Sequence, residues 1–247
     1  MGRNFLDLCN EVLAIMFYQE APTFEDLETT EGRLVKTKMN NVLRKICSGE
    51  HSIWKFREKE QRFFLQEGNN KYSMPNGYIT YIRPDDLSNR GPLIYNNNYR
   101  WLPMTSAGTP TQYWIFDNKI NLYPIPSETD SGTMYKIEYL TNNFAVDKDG
   151  REKEIMTEGT DEPIIPEIYR SILVFGTAKD FRANAADAKS KFYEEEYNNI
   201  YNDMLYSQRL SEDYTSGTRV DEHPMTNARA YLTNFYNPYF GSKRFNK

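Results

Sequence analysis

Histidine is nearly missing from this chain of 247 residues, occurring only as His51 and His223. Too few remain to build a histidine zinc site at motif spacing, and a Ser-His-Asp or Cys-His arrangement has only His51 to draw on inside the segments expected to fold. No nucleophile elbow accompanies it. Cysteine is equally sparse: Cys9 and Cys47 lie inside helical apolar patterns, so they read as buried thiols in a reducing compartment rather than as a disulfide. The 13 glycines are never spaced as GxGxxG or as a P-loop, which leaves no visible backbone cradle for phosphates. No apolar run approaches the ~20 residues of a membrane span. The opening MGRNFLDLCNEVLAIMF carries charges through its apolar pattern and no small-residue cleavage site, so it is not read as a signal peptide. A basic excess is lacking too: 30 Lys and Arg face 35 Asp and Glu, for a net charge of −5. That balance argues against a clamp that grips nucleic acid by counterion release.

Aromatic side chains are plentiful instead. They make up 15% of the chain and tyrosine leads with 19, a residue whose large contact area and polar tip suit interfaces as well as cores. An apolar share of 39% is enough for a sizeable core, while the mean hydropathy of −0.76 leaves much polar surface. One acidic stretch, DKDGREKEIMTE, places Asp147, Asp149 and Glu158 at the first, third and twelfth positions of a calcium loop. Arg151 occupies a ligand position and Glu152 replaces the turn glycine, so calcium is not expected there.

Helical spacing opens and closes the pattern. Asn4 is suited to cap a first helix whose apolar face is Phe5, Leu8, Cys9, Val12, Leu13, Met16 and Phe17. A second helix is predicted from about Thr30, burying Leu34, Val35, Met39, Val42, Leu43 and Ile46, with Gly49 as its stop. Further on, Pro166 fits a first helical position. Ile165, Ile168, Ile172 and Phe175 then recur at helical spacing, and Leu173, Val174 and Ala178 widen the apolar sector to that of a helix buried on two sides. Asn184 to Asp187 offer a break before a last helix with the stripe Tyr193, Tyr197, Ile200 and Met204. Glu194, Glu195 and Glu196 point in different directions on that helix and read as a solvated face.

Between the helix pairs the period drops to two, the spacing of half-buried strands. Trp54 and Phe56 alternate with Lys55 and Arg57; Phe63 to Leu65, Tyr78 to Ile82 and Tyr99 to Leu102 add short strand-like runs. The hairpin signal is strongest in QYWIFDNKINLYP, where Asp117 and Asn118 tolerate the positive φ of a tight turn. In MYKIEYL, Tyr135, Ile137 and Tyr139 share one face, with Lys136 and Glu138 on the other. These runs predict an antiparallel sheet with one wet side. Residues 147–162 are charged and turn-rich, an excursion back to the helices. The fold expected is therefore α+β: an antiparallel helical bundle from residues 1–50 and 161–210, an inserted antiparallel β domain at 51–160, and an extended C-terminal tail at 211–247.

That tail sustains no apolar period, yet it carries Tyr231, Phe235, Tyr236, Tyr239 and Phe240, followed by the cations Lys243 and Arg244. Disordered linkers are poor in aromatics, so these residues are the candidate partner-binding set, ordered by a surface outside their own domain; the alternative is a tail that wraps back on its own sheet. No residue suggests itself as catalytic, cofactor-binding or metal-ligating.

In order and spacing the chain resembles the head-to-tail adaptor proteins of tailed bacteriophages, the family that includes the tail tubular protein A of short-tailed phages and related connector ring proteins. The residues carrying the likeness are FLDLCNEVLAIMF, IWKF, KYSMPNGYI, GTPTQYWIFDNKINLYPIP and IIPEIYRSILVFGTAKDF, over most of residues 4–210. The resemblance implies a virion structural protein of the neck, assembled in the host cytoplasm, without cofactor, enzymatic activity or membrane contact. It further implies a ring, usually of twelve copies, that lies below the portal, extends the DNA channel without sequence-specific binding and offers a platform for further tail proteins. The competing reading is a virion-associated cell-wall glycan hydrolase or glycan-binding module, in which paired carboxylates would act beside exposed aromatics. Another tail or baseplate component is a third.

Overall fold

The computed structural model describes residues 2–48, 54–85, 91–103, 105–182 and 188–208. Gly49, His51, the break at 184–187, His223 and the whole candidate set from Tyr231 to Arg244 lie outside them. The described residues, up to Gln208, belong to one compact unit.

The described part mixes helix and sheet. In chain order come α1 (Phe5–Ile15), α2 (Thr30–Ser48), β1 (Glu58–Phe64), β2 (Lys71–Ser73), β3 (Gly77–Pro84), β4 (Ile94–Tyr95), β5 (Gln112–Phe116), β6 (Lys119–Tyr123), β7 (Met134–Thr141), β8 (Ala145–Val146), β9 (Glu152–Lys153), β10 (Glu162–Pro163), α3 (Ser171–Phe181) and α4 (Ala188–Gln208). Three small sheets replace the single one expected, in the orders β1-β7-β3, β2-β6-β5-β4 and β10-β8-β9. All pairings are antiparallel except β4 on β5.

Asn4 caps α1 as expected, its side chain accepting the Asp7 N–H while Asp7 accepts the Asn4 N–H in return. Phe5, Leu8, Cys9, Val12 and Leu13 are buried, but Phe17 is 78% exposed. It stands just beyond the helix at φ 65°, its N–H on the Ala14 carbonyl and the Tyr18 N–H on the Leu13 carbonyl. This is the reverse turn that normally ends a helix on glycine, here made by a phenylalanine that the turn throws outward. In α2 the buried row is Val35, Met39, Val42, Leu43, Ile46 and Cys47, whereas Leu34 is half exposed beside it.

α3 is the central helix. It packs against α1, α2 and α4, burying Ile172, Leu173, Val174 and Ala178. Gly176 makes the closest of these approaches possible: a Cβ there would lie 2.7 Å from Val42 of α2 and 3.1 Å from the Tyr197 ring of α4. The chain enters α3 differently from the expectation, because Pro166 precedes a 3-10 turn at Glu167–Tyr169 and Ile168 points to solvent at 74% exposure. α4 buries Tyr193 and Met204, with Tyr197 and Ile200 packed on the same core. Burial pushes the thiols of Cys9 and Cys47, both free, up to about 12.

The stretch from Trp54 to Arg57 is no strand. Its indole N–H donates to the Ile46 carbonyl at 2.8 Å, a 3-10 turn spans Lys55–Arg57, and Arg57 is turned inward at 5% exposure. The Arg57 guanidinium donates to the Cys47 carbonyl at the end of α2, to the Thr141 carbonyl at the end of β7 and to the Asn142 side chain, with the Phe144 ring 5.4 Å away. Two orphaned carbonyls at the helix terminus are thus satisfied by side chains, one of them a cation at the negative end of the helix dipole.

The charged excursion is structural as well. Asp161 is buried and accepts from the Thr157 and Glu158 N–H groups at 2.7 and 2.9 Å and from Lys153 at 2.9 Å. In that pose the Asp161 and Gly159 carbonyls accept the Phe5 and Leu6 N–H groups at the start of α1. Asn40 of α2 pairs with the Met156 backbone in both directions. At its turn, Asp147 accepts the Asp149 and Arg151 N–H groups.

Replacing Arg57 with alanine leaves several buried acceptors without a donor and should cost about 3 kcal/mol, read from the urea midpoint. Asp161 gives a pH signature. Burial pushes its carboxyl up, but the two N–H groups and Lys153 outweigh that and hold it below its ordinary 3.8. The stability it contributes is therefore complete above that value and is lost as pH falls from there through the lower native value. Asp161→Asn should lower stability at neutral pH by about 2 kcal/mol and flatten this part of the acid unfolding curve.

Candidate functional site

The pair of sheets β1-β7-β3 and β2-β6-β5-β4 encloses its own core, made of Leu65, Ile79, Ile82, Tyr113, Ile120, Leu122, Tyr135 and Ile137 among others. Each sheet thus has one inner and one outer face, and the two outer faces differ.

On the three-stranded sheet the outer face is wet. Glu60 sits opposite Glu138 and Arg62 opposite Lys136. The charges are tied by Arg62 to Asp85 at 2.7 Å, Lys136 to Glu138 at 3.0 Å and Arg83 to Glu138. Here, among the described residues, two neighbouring carboxyls are pushed apart in acidity. Burial and the neighbouring Glu138 raise Glu58, while Glu138, though burial opposes it, is held below its ordinary value by Lys136 and Arg83. Such a split is what acid-base catalysis uses. These two sit on an open strand face, however, and line neither the cleft beside Phe24 and Met156 nor the one beside Tyr18 and Leu27.

The four-stranded sheet departs from the expected wet side. Tyr113 and Ile115 point inward, so Gln112, Trp114 and Phe116 point out, and Ile94 lies beside Gln112 in the parallel pair. Ile94 is 65% exposed and Phe116 61%. Across them runs the Tyr99–Leu102 segment, read from the sequence as a strand. It is instead a 3-10 turn over Tyr99–Trp101, because Asn96 accepts the Asn98 N–H at 2.7 Å and folds the chain back. That turn lays Tyr99 flat on Trp114, with centroids 5.4 Å apart and planes 1° apart, and leaves Trp101 87% exposed. The β5–β6 hairpin that carries Phe116 closes as expected, with Asp117 and Asn118 both at φ 53°.

Between Gly91 and Pro126 only Arg100, Asp117 and Lys119 are charged, whereas 26% of the whole chain is. Loss of charge with gain of tryptophan and tyrosine is the compositional mark of an interface centre. Sequence reasoning found these aromatics but assigned them to a strand, and alternation alone does not tell an outer row destined for water from one destined for a partner. The aromatic tail residues Tyr231 to Phe240 lie outside the described residues.

Among the described residues there is no group of three or more His, Cys, Asp or Glu able to hold a metal ion, and no helix long and apolar enough to cross a membrane. The last helix presents Glu194 to Lys179 at 3.1 Å and leaves Glu195 in solvent.

An α+β chain whose barest surface is an uncharged aromatic face has the character of a protein that assembles with others. Comparison with known families gives the class: a family model described as SU10 adaptor protein matches residues 3–221. The chain belongs to this family and is a bacteriophage head-to-tail adaptor, a structural component of the virion. No curated protein gives a significant match.

Of the three tryptophans, Trp54 and Trp114 are buried and Trp101 is open. Acrylamide should therefore quench one component of the intrinsic fluorescence strongly, and Trp101→Phe should remove that component with little change in thermal stability.

Proposed function

We propose that this adaptor acts as a connector ring, usually of twelve copies, set below the portal protein, through which DNA passes and onto which further tail proteins are built, in the manner of tail tubular protein A. The observation that carries this reading is the uncharged aromatic sheet face on an otherwise charged surface, within a chain of the adaptor family. Residues 1–50 and 161–210 would make an antiparallel helical bundle that stands beside its neighbours, and residues 51–160 an inserted β domain. An acidic balance suits a channel wall, because DNA in transit should not be held by counterion release. In this role the protein is neither an enzyme nor the holder of a cofactor, and its surroundings are the virion neck after assembly in the host cytoplasm.

Residues 211–247 form the second part of the proposal. Tyr231, Phe235, Tyr236, Tyr239 and Phe240 supply apolar anchors and Lys243 and Arg244 a cationic end, a composition suited to docking on the portal or on an adjacent copy.

Mixing the protein with portal should convert it to a multi-copy species of defined mass. Amide exchange over residues 215–247 should slow in that mixture relative to the protein alone. Phe235→Ala and Tyr239→Ala should each weaken docking by roughly 1–3 kcal/mol. Unchanged exchange throughout the segment would remove it from the contact, and a single-copy species of fixed mass would remove the ring.

A further inference from the structure

The outer face of the four-stranded sheet needs something to cover it, and its rim says what kind of surface. Lys119 lies opposite Phe116, Lys71 lies opposite Asn121 next to Trp114, and Arg100 stands between Tyr99 and Trp101. None of these three cations takes part in an ion pair among the described residues. An apolar centre with a cationic rim fits an apolar surface with an acidic rim. Asp117 is the one carboxylate near this rim, so pairing the face with itself in a second copy would set mostly cations against cations.

The chain offers such a surface elsewhere. Where α1 ends and the chain turns toward α2, a cleft of about 540 Å³ is lined by Tyr18, Pro22 and Leu27 and by the carboxylates Glu20, Asp26 and Glu31. Asp26 is engaged with Thr23, but Glu20 and Glu31 have no ion pair among the described residues. Unpaired cations thus flank the uncovered aromatic face, and unpaired carboxylates flank this cleft.

We propose that the Arg100–Trp101 turn of one copy seats in the cleft at the end of α1 of the next copy. The indole lies against Tyr18 and Pro22, and the guanidinium meets Glu20 and Glu31. The inference rests on the ring reading and names its contact. Because the two surfaces differ, the contact is head to tail, the kind that generates a ring when the rotation closes. Tryptophan and arginine are also among the residues enriched at the energetic centres of interfaces.

Charge reversal tests this in assemblies formed with portal. All the side chains to be changed are exposed, so unfolding midpoints should stay close to wild type, with a small loss for Glu31→Lys in the first turn of α2, and association can be read directly as mass. Arg100→Glu alone, and Glu20→Lys with Glu31→Lys, should each weaken copy-to-copy association about tenfold or more, as should Trp101→Ala. Combining Arg100→Glu with Glu20→Lys and Glu31→Lys should restore most of it. If the ring forms undisturbed in every variant, the ring reading stands and this contact is overturned. The contact is equally overturned if both reversals weaken association but the combination is no better than either. A wild-type chain that forms no multi-copy species defeats the ring reading itself.

Discussion

The described structure turns on one of its buried arginines, Arg57. Arg57 sits where α2 ends, where β7 ends and where the chain crosses from helices to sheets, and it donates to carbonyl oxygens from both sides. A helix C-terminus directed into a protein interior is costly unless its carbonyls find donors. Here a tryptophan and an arginine three positions apart supply them, and the same arginine bonds the last residue of β7. The relation of helices to sheets is thereby set by directional bonds as well as by apolar contact, which resists shear better than packing alone.

The helices gain their order from a similar economy. α3 can lie between α2 and α4 because Gly176 presents no side chain to either. The start of α1 is held by the carbonyls of the loop around Asp161, which the sequence shows only as a run of charge. Most of that run is either paired or folded onto the backbone. Its polarity serves to satisfy a helix end, and it leaves Met156 buried against the core beside it.

How far the sequence was legible can be followed residue by residue. Asn4, the β5–β6 hairpin, the core rows of α2 and α4 and the doubly buried α3 were readable because each rests on a local rule: a cap, a turn or a period. Trp54 to Arg57 and Tyr99 to Trp101 were misread because alternation was taken as strand where long-range bonds, or an asparagine turn two residues upstream, decided otherwise. Phe17, Leu34 and Ile168 fit a helical stripe on paper, yet the first lies past the helix end, the second at the edge of the stripe and the third in a 3-10 turn. The uncharged outer face of the four-stranded sheet was hidden for a different reason. It is assembled from β4, a turn and a hairpin that are separate in sequence, and charge depletion becomes meaningful only once they share a surface.

Phe17 ends α1 in a conformation that suits glycine, at a cost of about 1 kcal/mol for a residue with a Cβ. A glycine there would have swivelled freely in the open chain and left the exit direction softer. The bulkier residue disfavours this conformation in the open chain, so the turn stands because the Phe17 and Tyr18 N–H bonds to the Ala14 and Leu13 carbonyls impose it. The strain of that turn sits at the mouth of the cleft beside Tyr18, where the local backbone is held by its bonds rather than by its own preference.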